Sequence, residues 1–241
     1  MMNRKYNSVE ISVIIPALNE ENYILKTLQS LAHQSFKKFE IIVVLSACTD
    51  RTEQVVQRFI KLRPELQISL ITEHDIGVSR ARNRGAKFAK GNLLFFLDAD
   101  TTLDHNCLFK ASRYMTEKNS VGTCHSKPEP WSLMFSMLIG FKNMFHRTGL
   151  VKGVHGTLLC WRGHFETVQG FNESLIVMEH YDLIKRLLEH GAYIWIPTAF
   201  AKTSMRRWQH KGIFALFYFW LVQGLKKFMG KDTLKYYEAV R

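Results

Sequence analysis

Leu93-Leu94-Phe95-Phe96-Leu97-Asp98-Ala99-Asp100 is the stretch on which the fold turns. Five large apolar residues in succession, opened by Gly91-Asn92, read as a strand covered on both faces, as in the middle of a parallel sheet. The run stops at two carboxylates with one small residue between them. Ligands of open α/β sheets bind beyond the carboxyl ends of the strands, which puts Asp98 and Asp100 at the mouth of a site. Residues i and i+2 of an extended chain point to the same side, so both carboxylates can reach one cation. Oxygen ligands with open positions suit Mg²⁺ or Mn²⁺, with a substrate phosphate completing the shell. The plainer alternative has Asp98 and Asp100 capping a following helix, with Thr101-Thr102 in the turn.

Upstream, strand and helix patterns alternate. Glu10 to Pro16 is a β-branched strand, and Asn19 is the expected N-cap of a helix with the apolar stripe Ile24, Leu25, Leu28, Leu31 and Ala32. Phe39 to Leu45 forms the second strand. Asp50 and Glu53 then stand at capping-box spacing before a helix that buries Val55, Val56, Phe59 and Ile60. Ile68 to Thr72 reads as the third strand, and Val78 to Lys90 as a helix closed by Gly91 at C′. Repeated β-α units with short turns imply a parallel, doubly wound sheet.

Downstream the pattern loosens. Helices are expected over Asp104 to Glu117 and Tyr181 to His190, and strands at the end of Gly153 to Trp161 and over Tyr193 to Ile196, before Pro197. Trp131, Met134, Met137, Leu138, Phe141, Met144 and Phe145 recur at helical spacing. Core packing is the favoured reading of that face, and an adaptable acceptor surface the alternative. Lys202 to Lys211 is basic, and Ile213 to Val222 is apolar, aromatic and followed by Lys226-Lys227. Ten residues are too few for a hydrocarbon core of roughly 30 Å. The segment suits a helix lying at a membrane surface, with a core helix as the alternative.

At 241 residues, 46% hydrophobic and 22% charged, the chain is globular in composition. The four cysteines, Cys48, Cys107, Cys124 and Cys160, form no C-x-x-C pair, which disfavours a zinc site or disulfide framework and fits a reducing compartment. Met1 to Glu10 has no apolar h-region, so no signal peptide is expected. A net charge of +12 predicts an anionic partner. No nucleic-acid-binding motif accompanies it, so nucleic acid is not the expected one.

Taken in order, several segments resemble the family 2 glycosyltransferases of the GT-A fold. They are Ser12-Val-Ile-Ile-Pro-Ala-Leu-Asn-Glu20, Glu40-Ile-Ile-Val-Val44 with Thr49-Asp50, and Gly77-Val-Ser-Arg-Ala-Arg-Asn-Arg-Gly85. Asp98-Ala-Asp100, Gly170-Phe-Asn-Glu173, Glu179-His-Tyr-Asp-Leu183 and Arg206-Arg-Trp208 complete the set. The resemblance runs from about residue 10 to about residue 212. It implies an α/β fold with a Rossmann-like, mostly parallel sheet flanked by helices, and a C-terminal amphipathic or apolar helix. Residues 1–212 would form the transferase domain, with 10–103 the nucleotide-sugar-binding half and 104–212 the acceptor half; 213–241 would be an apolar and basic appendage at the membrane.

The implied reaction is metal-dependent transfer of a sugar, with inversion, from a nucleotide diphosphate donor to an acceptor hydroxyl. A lipid-linked or glycan acceptor would be served from the cytoplasmic, inner face of the membrane. Pro16, Ala17, Leu18, Asn19, Glu20, Ser46, Asn83, Asp98, Arg206 and Arg207 would bind the nucleotide sugar. Asp98 and Asp100 would hold Mn²⁺ or Mg²⁺ against the charge of the leaving diphosphate, and the two arginines would clamp it. Inversion needs one base rather than a covalent nucleophile. The family's Glu-Asp pair stands here as Glu179-His180, so His180, Glu179 and Asp182 are the candidates. The second strand ends in Leu45 where the family has a base-contacting aspartate, which removes an acceptor of hydrogen bonds. Ser204 replaces the glutamine that precedes Arg-Arg-Trp in processive synthases, so a single addition is expected. These departures also permit a weakly active nucleotide-sugar-binding protein that partners another transferase.

Overall fold

The computed structural model describes residues 9–149, 156–175 and 177–212, with Ala215, Tyr218 and Val222 beyond them. Most of the apolar run from Ile213 to Val222, and everything after it, lies outside the described residues, so the expected C-terminal surface helix does too. Among the described residues, no helix is long and apolar enough to cross a membrane.

The first half follows the alternation in the sequence. Strands β1 (Ile11–Ala17), β2 (Phe39–Ser46), β3 (Ile68–Glu73) and β4 (Leu93–Leu97) are joined by helices α1 (Ile24–Ala32), α2 (Thr52–Leu62) and α3 (Val78–Phe88). All four strands run parallel, in the order β3-β2-β1-β4. Strand β4 is buried along its whole length. Leu93, Phe95 and Leu97 pack into the core with α1 and α2, whereas Leu94 and Phe96 pack into the core on the opposite face with α3. A strand so enclosed needs apolar residues at every position, which is why it reads as a continuous run.

The second half turns the sheet mixed. It contributes β5 (Thr101–Leu103), β6 (Asn119–Glu129), β7 (Thr157–Trp161) and β8 (Ala192–Ser204). The full order is β3-β2-β1-β4-β7-β6-β8-β5. Strand β7 runs antiparallel to β4 and β6, β8 runs parallel to β6, and β5 closes the edge antiparallel to β8. Helices α4 (Cys107–Tyr114), α5 (Leu133–Thr148), α6 (Arg162–Thr167), α7 (Glu179–Leu187) and α8 (Arg206–Lys211) complete the chain. The sheet is therefore mixed, parallel over its first four strands and flanked by helices, as the GT-A resemblance implies for its α/β fold.

Several local expectations are corrected. Thr101-Thr102 is strand β5, not a helix-capping turn. Strand β8 does not stop at Pro197. The register slips from Cys124↔Ile196 to His125↔Phe200, and the proline sits in that irregularity, where no ladder donor is required. Gly91 is not a helix C′ residue, because α3 ends at Phe88 with Ala89 extended. A Cβ at Gly91 would meet the Ser12 nitrogen at 2.7 Å, so this glycine lets the chain pass against β1. Asn19 caps nothing: α1 starts at Ile24, and Asn19, in the left-handed region, instead bonds Thr49. Asp50 accepts from the Thr52 amide, but Glu53 bonds Gln57, so the reciprocal box is not made.

Helix α5 carries the largest correction. Phe135 and Ile139 are its buried apolar residues. Trp131, Leu133, Met134, Met137, Phe141 and Met144 are exposed, which overturns the core reading of the methionine-rich face.

Candidate active site

Beyond the carboxyl ends of β1 and β4, side chains far apart in sequence converge. Arg82, from the buried face of α3, is almost fully enclosed. Its Nη2 donates to Asp98 Oδ1 at 2.9 Å and its Nη1 to Glu179 Oε1 at 3.2 Å. His180 Nδ1 lies 3.2 Å from that same Glu179 oxygen. The result is a continuous chain, Asp98–Arg82–Glu179–His180. Burial raises the Glu179 carboxyl, but His180 and Arg82 outweigh it and hold it well below the usual carboxylate range. Asp98 is likewise held low: Arg82, His180 and Arg207 together overcome its burial.

A second cluster adjoins the first. Arg206 Nη2 contacts Glu20 Oε1 at 2.5 Å and Asp100 Oδ2 at 3.2 Å, and its guanidinium lies 4.4 Å from the centre of the Tyr23 ring. Glu20 leaves the β1–α1 loop and Arg206 opens α8, so this contact ties the two ends of the domain across the site. Burial and the neighbouring Asp98 charge push the Asp100 carboxyl up to about 6, which Arg206 only partly offsets. Glu20 Oε2 is buried with no partner. Asp98 and Asp100, whose crowding raises Asp100, and the buried, unpartnered Glu20 Oε2 are acceptors that a divalent cation would satisfy, so the residues fit one. Among the described residues no group of three or more ligating side chains gathers at one point. Two carboxylates with ligand oxygens in the remaining positions is an arrangement Mg²⁺ and Mn²⁺ accept.

The remaining expected residues have other company. Asn83 is consumed by the Gly170–Glu173 loop: it donates to Phe171 O and Glu173 Oε1, both at 2.9 Å, and accepts from the Phe171 amide at 2.9 Å. That loop brings the buried Phe171 against Arg82 and edge-on to His180. Gly170, at φ 70°, leaves room for the Asn83 oxygen 2.6 Å from where a Cβ would be. Asp182 is paired with Arg186 at 2.6 Å. Pro16, Ala17 and Leu18 form the end of β1 and its exit, with Ala17 buried. Ser46 is buried and bonds Asp75 O at 3.4 Å. Leu45 is packed inside the core. Arg207 is exposed, close enough to lower both Asp98 and Asp100.

Arg82, Tyr23 and Phe171 were not among the expected site residues. Arg82 carried a signal nonetheless: it stands between Ala81 and Gly85 on the helix face packed against β1 and β2, where a cation must have a buried partner.

Residues 12–158 match the family model for glycosyl transferase family 2. The chain belongs to that family. Among curated relatives, the poly(ribitol-phosphate) beta-N-acetylglucosaminyltransferase TarS of Staphylococcus aureus is 34% identical over 114 residues, 46% of this chain and 20% of TarS. The putative teichuronic acid biosynthesis glycosyltransferase TuaG of Bacillus subtilis is 31% identical over 109 residues, covering 45% and 43%. The match thus spans less than half the length of these relatives. Among solved structures, S. aureus TarS 1–349 in complex with UDP superposes with a TM-score of 0.65 at 25% identity, covering 83% of this chain and 62% of that one. The Pyrobaculum calidifontis mannosyltransferase PcManGT, in complex with GDP-Man and Mn²⁺, gives 0.75 at 21% identity, covering 93% and 65%; at that identity it speaks for the fold. The family-2 core therefore includes β1 to β4, the Arg82 helix and both aspartates, whereas Glu179, His180 and Arg206 lie beyond the matched residues.

Proposed function

We propose that this chain transfers a sugar from a nucleoside diphosphate donor to an acceptor hydroxyl, with inversion, using His180 as base. The observation that carries the reading is the Asp98–Arg82–Glu179–His180 chain at the carboxyl edge of the sheet. Glu179, held ionised, accepts from His180 Nδ1–H and so fixes the tautomer that leaves Nε2 to take the acceptor proton. Arg82 occupies Glu179 from the other side, which makes the glutamate an orienting group rather than the base. Asp182 is engaged by Arg186 and drops to the last choice.

Asp98 and Asp100 are the residues that would hold Mn²⁺ or Mg²⁺, and the ion would supply charge neutralisation of the departing diphosphate. Arg206, braced by Glu20 and Tyr23, and Arg207 stand ready as fixed cations for the same charge. The nucleotide would lie over the Pro16–Glu20 loop and the end of β2. Leu45 lies in the core, so base discrimination belongs to backbone groups and to side chains around Ser46. The named nucleotide and metal ligands of PcManGT and TarS support this class of donor. The domain division at residues 103 and 212, a lipid-linked or glycan acceptor and action at the inner membrane face belong to the same proposal. The exposed apolar face of α5 and the +12 net charge favour a membrane surface.

A thermal-shift screen of UDP- and GDP-sugars with Mn²⁺, followed by assay of nucleoside diphosphate release, tests the reading. A stabilising donor that is then turned over supports it, and Asp98→Ala and Asp100→Ala should each abolish that turnover. Full activity of both variants in excess chelator would remove the metal assignment. Binding without turnover would favour the partner-protein alternative.

A further inference from the structure

The two outer strands carry a feature that the reaction above does not use. On β6, His125, Lys127 and Glu129 share one face, and on β8 so do Phe200, Lys202 and Ser204. The register sets Lys127 directly beside Lys202, on neighbouring strands roughly 4.8 Å apart. Like charges in that position oppose folding of the sheet unless something neutralises them. Lys127 is partly accommodated: its Nζ lies 3.6 Å from the Phe200 ring centre and 3.9 Å from Asp104 Oδ2. Lys202 has no carboxylate partner among the described residues, and neither does Lys26 on α1. All three line one cavity of about 770 Å³, which reaches the transfer centre through Asp100 and Arg206. Arg206 is already matched by Glu20 and Asp100, and Lys127 by Asp104, which leaves Glu129 as the further carboxylate among the cavity's lining residues for Lys26 and Lys202.

A cavity of this size, lined by two ammonium groups with no carboxylate partner among the described residues and by a third shared between Phe200 and Asp104, suits an anionic group. Resting on the transferase reading, we propose that it is a phosphate subsite, in which Lys26, Lys127 and Lys202 bind a phosphate ester while sugar is transferred. The ester belongs to an anionic acceptor, since the donor diphosphate is already assigned to Asp98, Asp100 and the two arginines. None of the Pro16–Asn19 loop, Arg82, Glu179 and His180 lines the cavity.

The test compares intact protein with Lys26→Gln/Lys202→Gln, both changes lying on exposed positions, and with Lys61→Gln on α2 as a distant control. Calorimetric titration uses glycerol 3-phosphate without metal, and UDP and GDP with Mn²⁺. Glycerol 3-phosphate should bind the double variant more than about tenfold more weakly, because each lysine removed is a charge-assisted contact worth about tenfold. Lys26→Arg/Lys202→Arg should keep most of the affinity, and salt should weaken binding to the intact protein. Loss confined to glycerol 3-phosphate supports the acceptor assignment; loss confined to UDP and GDP overturns it. Unchanged affinity for all three probes, in a variant that melts like the intact protein, overturns the proposal. Donor turnover by the intact protein is read separately, so failure of the transferase reading would be seen there.

Discussion

Single residues at the site hold charges against their ordinary preferences. Asp100 has its carboxyl raised to about 6 from an ordinary 3.8, so the folded state keeps a proton that the unfolded chain gives up near pH ~4. Stability is therefore lost as pH rises from about 4 to about 6, and the ionised carboxylate weighs on the fold above that range. Asp100→Asn should stabilise the metal-free protein at pH 7.5 by on the order of 2 kcal/mol and give no gain near pH 4. Denaturant titrations at the two pH values, in chelator, check both the sign and its disappearance. Glu179 has the opposite sign: its lowered carboxyl stabilises the fold above its unfolded value, and that support is lost as pH falls. Leu45 makes a different kind of case. The family's pattern suggests that Leu45→Asp would restore a base contact, but the side chain is packed in the core. The substitution should cost several kcal/mol through a buried, unpaired carboxylate, with no gain in uridine preference. A well-folded variant with a sharpened preference for UDP-sugars would mean that the end of β2 is placed differently.

At the scale of elements, α3 and α5 show opposite uses of sequence. Helix α3 comes so close to β1 and β2 that a Cβ at Gly85 would sit 2.5 Å from Ile14 Cγ2 and 3.1 Å from Val44 Cγ2. Gly85→Ala should therefore destabilise by about 1–3 kcal/mol despite the better helix propensity of alanine. It should also lower activity, because the same helix carries Arg82. On α5, Met134→Gln and Met137→Gln should change stability by less than about 0.5 kcal/mol, whereas Ile139→Ala, which is buried, should cost about 2–5 kcal/mol. Chemical denaturation of the three variants separates the two faces. The elements legible in the sequence were those whose burial is one-sided or complete. Strand β4 and most of the stripe of α1 could be read directly, although Leu25, expected on that stripe, is exposed. Strands β5 and β6 left no such trace: β6 mixes polar residues with Val121, Gly122, Cys124 and Pro128, buried or not, and is held by pairing to β8. Gly91 misled because a glycine after a helical pattern signals a C′ residue, whereas its use is contact with another strand, which spacing does not reveal. Of the motif residues, Asp98, Glu179 and His180 lie in one cluster with Arg82, and Glu20, Asp100 and Arg206 in the cluster beside it. Arg82 was not singled out, because a helical arginine becomes informative only when its burial is known.

At the scale of the whole molecule, two long-range relations matter. The first is electrostatic. A chain of net charge +12 with an exposed aromatic and methionine face on α5 should sediment with anionic vesicles, less so at high salt, and least when residues 213–241 are removed. Indifference of the full chain to vesicles would return the membrane to the list of surfaces it does not use. The second relation is the convergence of residues 82, 98, 179 and 180 into one hydrogen-bonded chain, which makes a single centre from both halves of the sequence. If His180 takes the proton there, the decisive measurement is the rate of nucleoside diphosphate release at saturating donor by His180→Ala, beside His180→Asp and Glu179→Gln, with donor affinity measured for each. His180→Ala should lose about 10²–10⁴-fold at unchanged donor affinity, with partial recovery in His180→Asp. A His180→Ala protein within a few-fold of the intact rate, beside an inactive Glu179→Gln, would contradict that assignment and move the base to Glu179.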